Sequence, residues 1–274
     1  EVPSRGLGDV YKRQKYNLST IPGSDFPDFD VIKSDTTHKI TANKLYELFL
    51  KTSFAMANQD WRHYLNGCLF EKTGSSINMV ATDAHRLAIY KSNLEGEGDF
   101  TGIVPRKTVI ELMKILPKQE DEIEFYINSN NIVFMSKKFT FKSKLIDGNY
   151  PNYNQVVPQG EGSKITFNRK NMLDSLSRVS VLTSEKFKGV KLKTESGVLD
   201  ISAHNPDQES AEEKLDVTSA GNEFDIAFNV NYLKEVLGTI DEEEISLISF
   251  GSDKSALVES GDSNQVLVLM PLLL

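Results

Sequence analysis

The sequence is poor in features that mark several classes of protein. It has one cysteine, Cys68, in 274 residues. It therefore cannot form an internal disulfide or a cysteine zinc cluster, and we expect a cytoplasmic location. With 17 glycines and 9 prolines, it lacks the composition of collagen or of low-complexity chains. No run approaches the roughly 18 apolar residues of a membrane span, so we expect no membrane partner.

Sequence motifs for catalysis and for cofactor binding are also missing. We find no phosphate-binding loop, no dinucleotide fingerprint and no metal-ligand spacing, so we expect no cofactor and no metal. Asp83 and His85, in the string Thr82–Arg86, could form an acid–base site. No nucleophile elbow accompanies them, and no other residue is an obvious partner for His85. A hydrolase centred on this pair stays an alternative, but the sequence predicts a protein that is not an enzyme.

What is present indicates a folded, acidic protein. Hydrophobic residues make up 39% of the chain and charged residues 26%, values that are ordinary for soluble domains. The length fits about two domains of roughly 100–200 residues. The net charge of −8 argues mildly against a protein that coats nucleic acid.

The two ends of the chain differ from the rest. Residues 1–14, EVPSRGLGDVYKRQ, resemble translated sequencing-adapter sequence, and we expect them to be a non-native artefact. The segment 266–274 is strongly apolar and predicts a buried strand followed by a short tail. Such a tail would be costly to expose unless it lines a groove.

The chain contains an internal repeat. Lys39–Asn43 recurs as Lys164–Asn168, and the apolar pattern over 109–116 recurs over 233–240. A partial earlier copy is indicated because Phe26–Val31 echoes Tyr150–Gln155. We therefore predict four segments in order along the chain: the artefact over 1–14, the remnant of a first domain with its linker over 15–37, a middle domain over 38–158 and a C-terminal domain over 163–274.

Each complete repeat predicts two helices and several strands. Apolar residues recur at helical spacing in four segments. The predicted helices cover 43–57, 105–118, 168–182 and 230–240. In the first repeat the predicted strands cover 67–71, 77–82, 123–127, 132–135 and 139–145. In the second repeat, Asn205–Pro206 predicts a turn and Asp207–Glu213 an acidic loop. The fold class is therefore α+β.

Charge is unevenly distributed over these elements. The four helical segments carry net charges of +1, +3, +2 and 0, which leaves −14 for the rest of a chain whose total is −8. If the helices share one side of the molecule, that side is basic and would attract phosphates in a salt-dependent way without reading bases. Ordinary solvated helix faces are the alternative. The basic candidates for a DNA-facing side are Lys44, Lys51, Arg106, Lys107, Arg169, Lys170 and Arg178.

Several strings in the same order resemble one family, the bacterial sliding clamp, which is the beta subunit of DNA polymerase III. They are Arg62–Glu71, Val80–Ala88, Val104–Lys107, Lys144–Pro151, Asn205–Glu209, Phe228–Tyr232 and Met270–Pro271. The resemblance implies repeated clamp domains, each with two helices packed on antiparallel sheets. It also implies a homodimeric ring in the full-length protein, with the helices lining the hole.

The resemblance implies a function as well. A sliding clamp encircles double-stranded DNA without sequence specificity and keeps a polymerase on its template. Gln59 and Tyr64 match family positions near DNA. The replicative polymerase, the clamp loader and repair proteins would insert short linear peptides into a hydrophobic cleft. Carried over by motif, the cleft would use Leu65, Thr82, His85, Arg86, Leu87, Pro151, Val156, Tyr232, Ser255, Val268, Met270, Pro271 and Leu272.

Three residues depart from the family pattern near the cleft. Ala84 stands where glycine is usual, Gln155 where some members have arginine, and Leu273 in place of a penultimate arginine. Because most of the first domain is missing, we expect that this chain does not close the two-chain ring. A repeat-built protein-interaction module without a role on DNA stays the main alternative.

Overall fold

The computed structural model describes residues 7–11, 14–25, 36–118, 121–183, 188–195, 197–219 and 225–272. The motif Phe26–Val31 and Leu273 lie outside these residues. The chain divides into two compact units, Glu1–Asp35 and Thr36–Leu274. In the first unit, strands β1 (Leu7–Tyr11) and β2 (Gln14–Leu18) pair as an antiparallel hairpin. A short 3₁₀ turn follows at Gly23–Asp25.

The second unit begins with ten elements that form the middle domain. Their bounds are β3 His38–Thr41, α1 Ala42–Leu50, β4 Gly67–Thr73, β5 Ser76–Thr82, β6 Arg86–Asn93, β7 Phe100–Pro105, α2 Arg106–Ile115, β8 Glu122–Ile127, β9 Asn131–Met135 and β10 Thr140–Lys144. Three 3₁₀ turns lie among them, at Ser53–Ala55, His63–Leu65 and Leu116–Lys118.

The same order of elements then recurs. The bounds are β11 Ser163–Asn168, α3 Arg169–Val179, β12 Gly189–Glu195, β13 Val198–His204, β14 Ser210–Asp216, β15 Thr218–Ser219, β16 Asp225–Asn229, α4 Val230–Gly238, β17 Glu244–Ser249, β18 Ala256–Glu259 and β19 Gln265–Leu269. Apart from the two-residue β15, each element has a counterpart in the first copy. The predicted α+β fold with repeated domains is confirmed.

Each helix follows a strand without an intervening loop, and polar caps mark most of these junctions. The side chains of Thr41, Asn168 and Asn229 accept hydrogen bonds from backbone N–H groups in the first turns of α1, α3 and α4. Such caps satisfy N–H groups that have no partner inside the helix. Pro105 occupies the same position before α2. The first helix ends at Leu50, well before the predicted residue 57, because Met56 is extended and residues 53–55 form a tighter turn.

Several strands were not predicted, among them β3, β6, β7, β11 and β14. β6 and β7 lie in a stretch where no strand was expected, and Asp207–Glu213 was expected to be an acidic loop. That loop prediction is wrong, because Ser210–Asp216 forms β14 and pairs with β13. β14 is polar because it lies at the edge of its sheet, and charged side chains on an edge strand oppose unwanted pairing.

Among the described residues all strand pairings are antiparallel, and one sheet joins the two repeats. Two four-stranded sheets have the orders β10-β9-β8-β3 and β14-β13-β12-β16. A nine-stranded sheet has the order β15-β11-β17-β18-β19-β6-β5-β4-β7. β19 of the C-terminal repeat pairs with β6 of the middle repeat, and Val268 lies opposite Leu87. The repeats are therefore fused through backbone hydrogen bonds.

Apolar stripes of the four helices fill the core between the sheets. Leu48 of α1, Leu112 of α2, Leu176 of α3 and Leu237 of α4 are fully buried. A second, smaller apolar cluster lies around Val80. Its buried members are Leu69, Val80, Leu87, Ile89, Ile103 and Val268, and the partly buried aromatics Tyr64, Tyr150 and Tyr153 pack against it. Within the described residues, the longest helix has 11 residues and none could cross a membrane.

Candidate functional site

The turn between β5 and β6 is held by its own side chains. The Thr82 hydroxyl accepts a hydrogen bond from the Ala84 N–H (3.1 Å) and donates one to the Arg86 carbonyl (2.6 Å). The Asp83 carboxylate accepts from the N–H groups of His85 (2.9 Å) and Arg86 (3.0 Å). Short polar side chains that bond to nearby backbone favour such turns. The turn places Ala84 at a φ of 74°.

The C-terminal segment passes directly beside this turn. After β19, the N–H of Met270 donates to the carbonyl of His85 (2.8 Å), and the N–H of Leu272 donates to the carbonyl of Ala227 (2.8 Å). The segment is therefore tied to both repeats. It brings Met270, 38% exposed, next to the surface of the middle repeat.

These segments enclose an apolar pocket of about 320 Å³. Its lining residues are Arg62, Tyr64, Leu65, Thr82, Ala84, Arg86, Leu87, Pro151, Val156, Val268 and Met270. Val156 is 44% exposed, so two large apolar side chains of the pocket face solvent. A concave apolar site with a few polar groups is typical of ligand and peptide recognition.

The structure brings most of the predicted cleft residues into this pocket, but not all of them. His85 and Tyr232 line a neighbouring, wider pocket of about 730 Å³, and their rings stack with centroids 5.8 Å apart. The Ser255 hydroxyl donates to the Val156 carbonyl (3.3 Å) and so supports the rim. Pro271 and Leu272 continue from Met270 without lining the pocket.

Three lining residues were not assigned to the cleft from the sequence. Tyr64 was expected to face DNA, but it lines this pocket. Arg62 lies in a recognised motif without a predicted role. Ala84 was noted only as a departure from the family pattern. None of the three carries a local signal of its place, because the pocket forms from segments far apart in the chain.

Arg86 separates the two pockets and is 7% exposed. Its guanidinium pairs with Asp83 (3.2 Å) and with Glu235 on α4. It also lies 4.5 Å from the ring centre of Tyr232 and 5.3 Å from that of Phe54. Cation–π contacts and ion pairs together stabilise a charge that burial alone would destabilise. Arg86 thus connects β6 to the C-terminal repeat.

The loop beside both pockets is rigidified by Asp60. Its carboxylate accepts three hydrogen bonds from Arg62: one from the backbone N–H (2.8 Å) and two from the guanidinium. The Arg62 side chain is the main cause that lowers the pKa of Asp60 to about 2. The backbone N–H of Asp60 in turn donates to the Asn66 side chain (2.9 Å). Trp61 between them is 81% exposed.

The outer rim of the site contains two partly buried tyrosines. Burial raises the pKa of Tyr150, whose hydroxyl lies 3.5 Å from the carbonyl of Val80. Burial, followed by the nearby Glu71, raises the pKa of Tyr153 to about 12. Both phenols therefore stay neutral at physiological pH. They hold the segment after β10 against the nine-stranded sheet, which positions Pro151 and Val156.

The DNA-facing candidates occupy varied environments. Lys107 and Lys170 are exposed at the starts of α2 and α3, and Gln59 shares a shallow pocket of about 460 Å³ with Arg106 and Lys107. Several others bind protein atoms of their own chain, including Arg106, which donates to the Met56 carbonyl (3.2 Å). Lys44 donates to the Asn93 carbonyl (3.0 Å), Arg169 donates to the Glu242 carbonyl (3.1 Å), and Arg178 pairs with Glu213 on β14.

Lys51 does not fit the prediction that it faces DNA. Only 8% of its side chain is exposed. Its ammonium donates to the Thr239 carbonyl at the end of α4 (2.8 Å) and to the Asp241 carboxylate (2.6 Å). These contacts disfavour the prediction, because the ammonium joins the two repeats instead of facing solvent.

The arrangement also disfavours the alternative of a hydrolase. The Asp83 carboxylate accepts from backbone N–H groups and pairs with Arg86, whereas the ring of His85 stacks on Tyr232. An acid–base pair would require the carboxylate to orient the imidazole. Among the described residues, no group of three or more His, Cys, Asp or Glu could hold a metal ion.

Two family models match this chain. The model for the central domain of the DNA polymerase III beta subunit matches residues 39–152, and the model for its C-terminal domain matches residues 154–273. The beta sliding clamp of Pseudomonas aeruginosa is 39% identical over 263 residues, covering 95% of this chain and 72% of the relative. That of Escherichia coli K12 is 38% identical over 262 residues with the same coverage.

Solved structures give the same result. A DNA polymerase sliding clamp from Pseudomonas aeruginosa, solved with a ligand, has a TM-score of 0.92 at 38% identity. The match covers all of this chain and 76% of that one. A sliding clamp from Bartonella birtlesii bound to griselimycin has a TM-score of 0.91 at 31% identity, covering 97% of this chain and 74% of that one.

The fold and the matched models define a protein built from repeated clamp domains. The chain spans 72% of the length of the curated relatives just described. It belongs to the DNA polymerase III beta subunit family, the beta sliding clamps, which are DNA polymerase processivity factors. The resemblance drawn from the sequence motifs is confirmed.

Proposed function

We propose that this chain acts as a non-catalytic processivity factor that docks other replication and repair proteins through the pocket around Met270. The single observation that carries the proposal is the exposed apolar pocket formed jointly by the two repeats. Leu65 and Leu87 come from the middle repeat, and Val268 and Met270 come from the C-terminal one. An extended peptide with apolar side chains suits such a site. The replicative polymerase, the clamp loader and repair proteins are the proposed sources of these peptides.

Griselimycin is the probe for this docking site, because sliding clamps of two relatives have been solved with it, and we propose that it binds this chain in the pocket around Met270. We expect fluorescein-labelled griselimycin to bind the wild-type chain in an anisotropy titration. Met270→Ala should weaken binding about tenfold, since truncating a half-exposed apolar anchor removes on the order of 1–2 kcal/mol. Val181→Ala, at an apolar residue that is 78% exposed outside the pocket, is the matched control. Equal affinity of the wild-type and Met270→Ala proteins would refute the site.

On DNA, we propose that the full-length protein is a two-chain ring in the cytoplasm that encircles the duplex. A head-to-tail interface between identical subunits closes a ring when its rotation is correct. A ring holds DNA topologically, so each phosphate contact can stay weak and sliding can stay fast. Lys107 and Lys170 are the foremost candidates for the inner side, because each is exposed in the first turn of its helix, α2 and α3 respectively.

Charge reversal tests this second part. We expect the double variant Lys107→Glu, Lys170→Glu to lose most of its affinity for duplex DNA at low salt and to show a shallower dependence on salt. Each phosphate contact contributes roughly 0.9 to that logarithmic slope. The double variant Lys193→Glu, Lys254→Glu, at two exposed positions outside the helices, is the control that makes the same change in net charge. If the first double variant binds DNA as the control does, a protein-interaction module without a DNA role explains the fold better.

A further inference from the structure

A strained alanine lines the apolar pocket. Ala84 has a φ of 74°, in the left-handed region that is unfavourable for residues other than glycine because Cβ approaches the carbonyl oxygen. Thr82 and Asp83 accept hydrogen bonds from the N–H groups of Ala84, His85 and Arg86. This network determines the backbone conformation. It holds Ala84 in a left-handed conformation that glycine would adopt without strain. Residues held under such strain concentrate at binding sites.

We propose that the methyl group of Ala84 sets the size limit of this pocket and thereby selects the side chain that a docking peptide can insert. The inference rests on the proposed docking function. Ala84 is exposed and belongs to the lining together with Leu87 and Met270. The space is about 320 Å³, small enough for one methyl group to matter. In apolar pockets a single carbon can change discrimination about tenfold or more.

The backbone strain and the side-chain volume can be separated by two substitutions. Glycine removes the strain and the methyl group together. Asparagine also tolerates the left-handed conformation, but its larger side chain narrows the pocket. Ala84→Gly and Ala84→Asn should therefore both raise the melting temperature, by about 2–4 °C. They should change peptide selection in opposite directions.

The second repeat supplies a matched control. Gln208 has a φ of 64° in the hairpin between β13 and β14, which corresponds to the hairpin between β5 and β6. It is exposed and does not line the pocket. Gln208→Gly should raise the melting temperature as Ala84→Gly does and leave peptide selection unchanged.

The probes are peptides selected from a random heptapeptide library on the wild-type chain, with counter-selection on Met270→Ala. The best peptide is resynthesised with fluorescein and with either Leu or Trp at its most sensitive apolar position. We expect wild type to prefer the Leu form about tenfold, Ala84→Gly to bring the two affinities within about threefold, and Ala84→Asn to widen the difference. If the ratio of the affinities for the Leu and Trp peptides is the same in all these proteins, the inference about Ala84 is overturned while the docking function stands. Failure of the wild-type chain to bind the peptide or griselimycin would overturn the docking function and this inference with it.

Discussion

Replacing Lys51 with methionine tests how the two repeats are joined. Methionine keeps the apolar length of the lysine stem and removes the ammonium, which donates to the Thr239 carbonyl (2.8 Å) and to Asp241 (2.6 Å). The lysine side chain is only 8% exposed, whereas that of Asp241 is 89% exposed. Most of the effect should therefore come from the carbonyl at the end of α4 and little from the ion pair.

The magnitude follows from three contributions. A hydrogen bond to a charged donor contributes about 1.5–3 kcal/mol, and an ion pair with an exposed carboxylate contributes roughly 0–1 kcal/mol. Removing an ammonium that is buried in the folded state restores part of its desolvation cost. We expect Lys51→Met to lower the free energy of unfolding by about 1–2 kcal/mol.

Urea unfolding of the whole chain measures this effect, with Asp241→Asn as the control. Asp241→Asn should cost less than about 1 kcal/mol and its effect should shrink at high salt, whereas the cost of Lys51→Met should persist. The salt dependence of DNA binding should be the same in Lys51→Met and wild type. If Lys51→Met is as stable as wild type or more stable, the desolvation cost of the buried ammonium outweighs its contacts with Thr239 and Asp241. If the affinity of Lys51→Met for DNA depends less steeply on salt than that of wild type, Lys51 does contact phosphates.

Three further predictions concern single groups. Arg86→Gln should lower the free energy of unfolding by about 2–3 kcal/mol, because Asp83 loses its buried partner while half-exposed Glu235 is less affected. Urea unfolding measures this, and an unchanged free energy of unfolding would contradict it. Cys68 is buried and its pKa is raised to about 12 by burial, so iodoacetamide at pH 8 should label it only after unfolding; rapid native labelling would refute this. The pKa of Asp60 is lowered from 3.8 to about 2. The wild type should therefore have a larger free energy of unfolding than Asp60→Asn above about pH 4, and the difference should disappear as the pH falls towards 2. Equal pH dependences of the free energy of unfolding in the two proteins would contradict this.

Local patterns in the sequence predicted much of the fold. Helical spacing located α1 to α4, since a buried stripe of apolar residues recurs with the period of the helix. The ordered repeat predicted two related α+β units, and the element order confirms them. The motif Thr82–Arg86 was recognisable because its side chains bond to the backbone of the same turn.

The pairing of strands and the burial of side chains between the repeats could not be predicted from local sequence patterns. The sequence of β14 suggested an acidic loop because an edge strand needs little apolar surface. Strand β6 pairs with β19, which lies about 180 residues later in the chain. Lys51 looked like one more basic residue of a helix, but its ammonium caps α4 of the other repeat. Tyr64 was assigned only to the DNA side from the family pattern, and the structure shows that it also lines the apolar pocket.

The sequence by itself determined the repeat, the helices, the family motifs and the apolar C-terminal segment, because each is encoded by residues close together in the chain. Only the tertiary structure decided which cations stay on the surface, which residues share the pocket and how β19 fuses the repeats. These depend on contacts between distant segments, whose partners are set when both repeats pack together. The strain at Ala84 belongs to this second group, because a dihedral angle and a pocket wall coincide only in the folded chain.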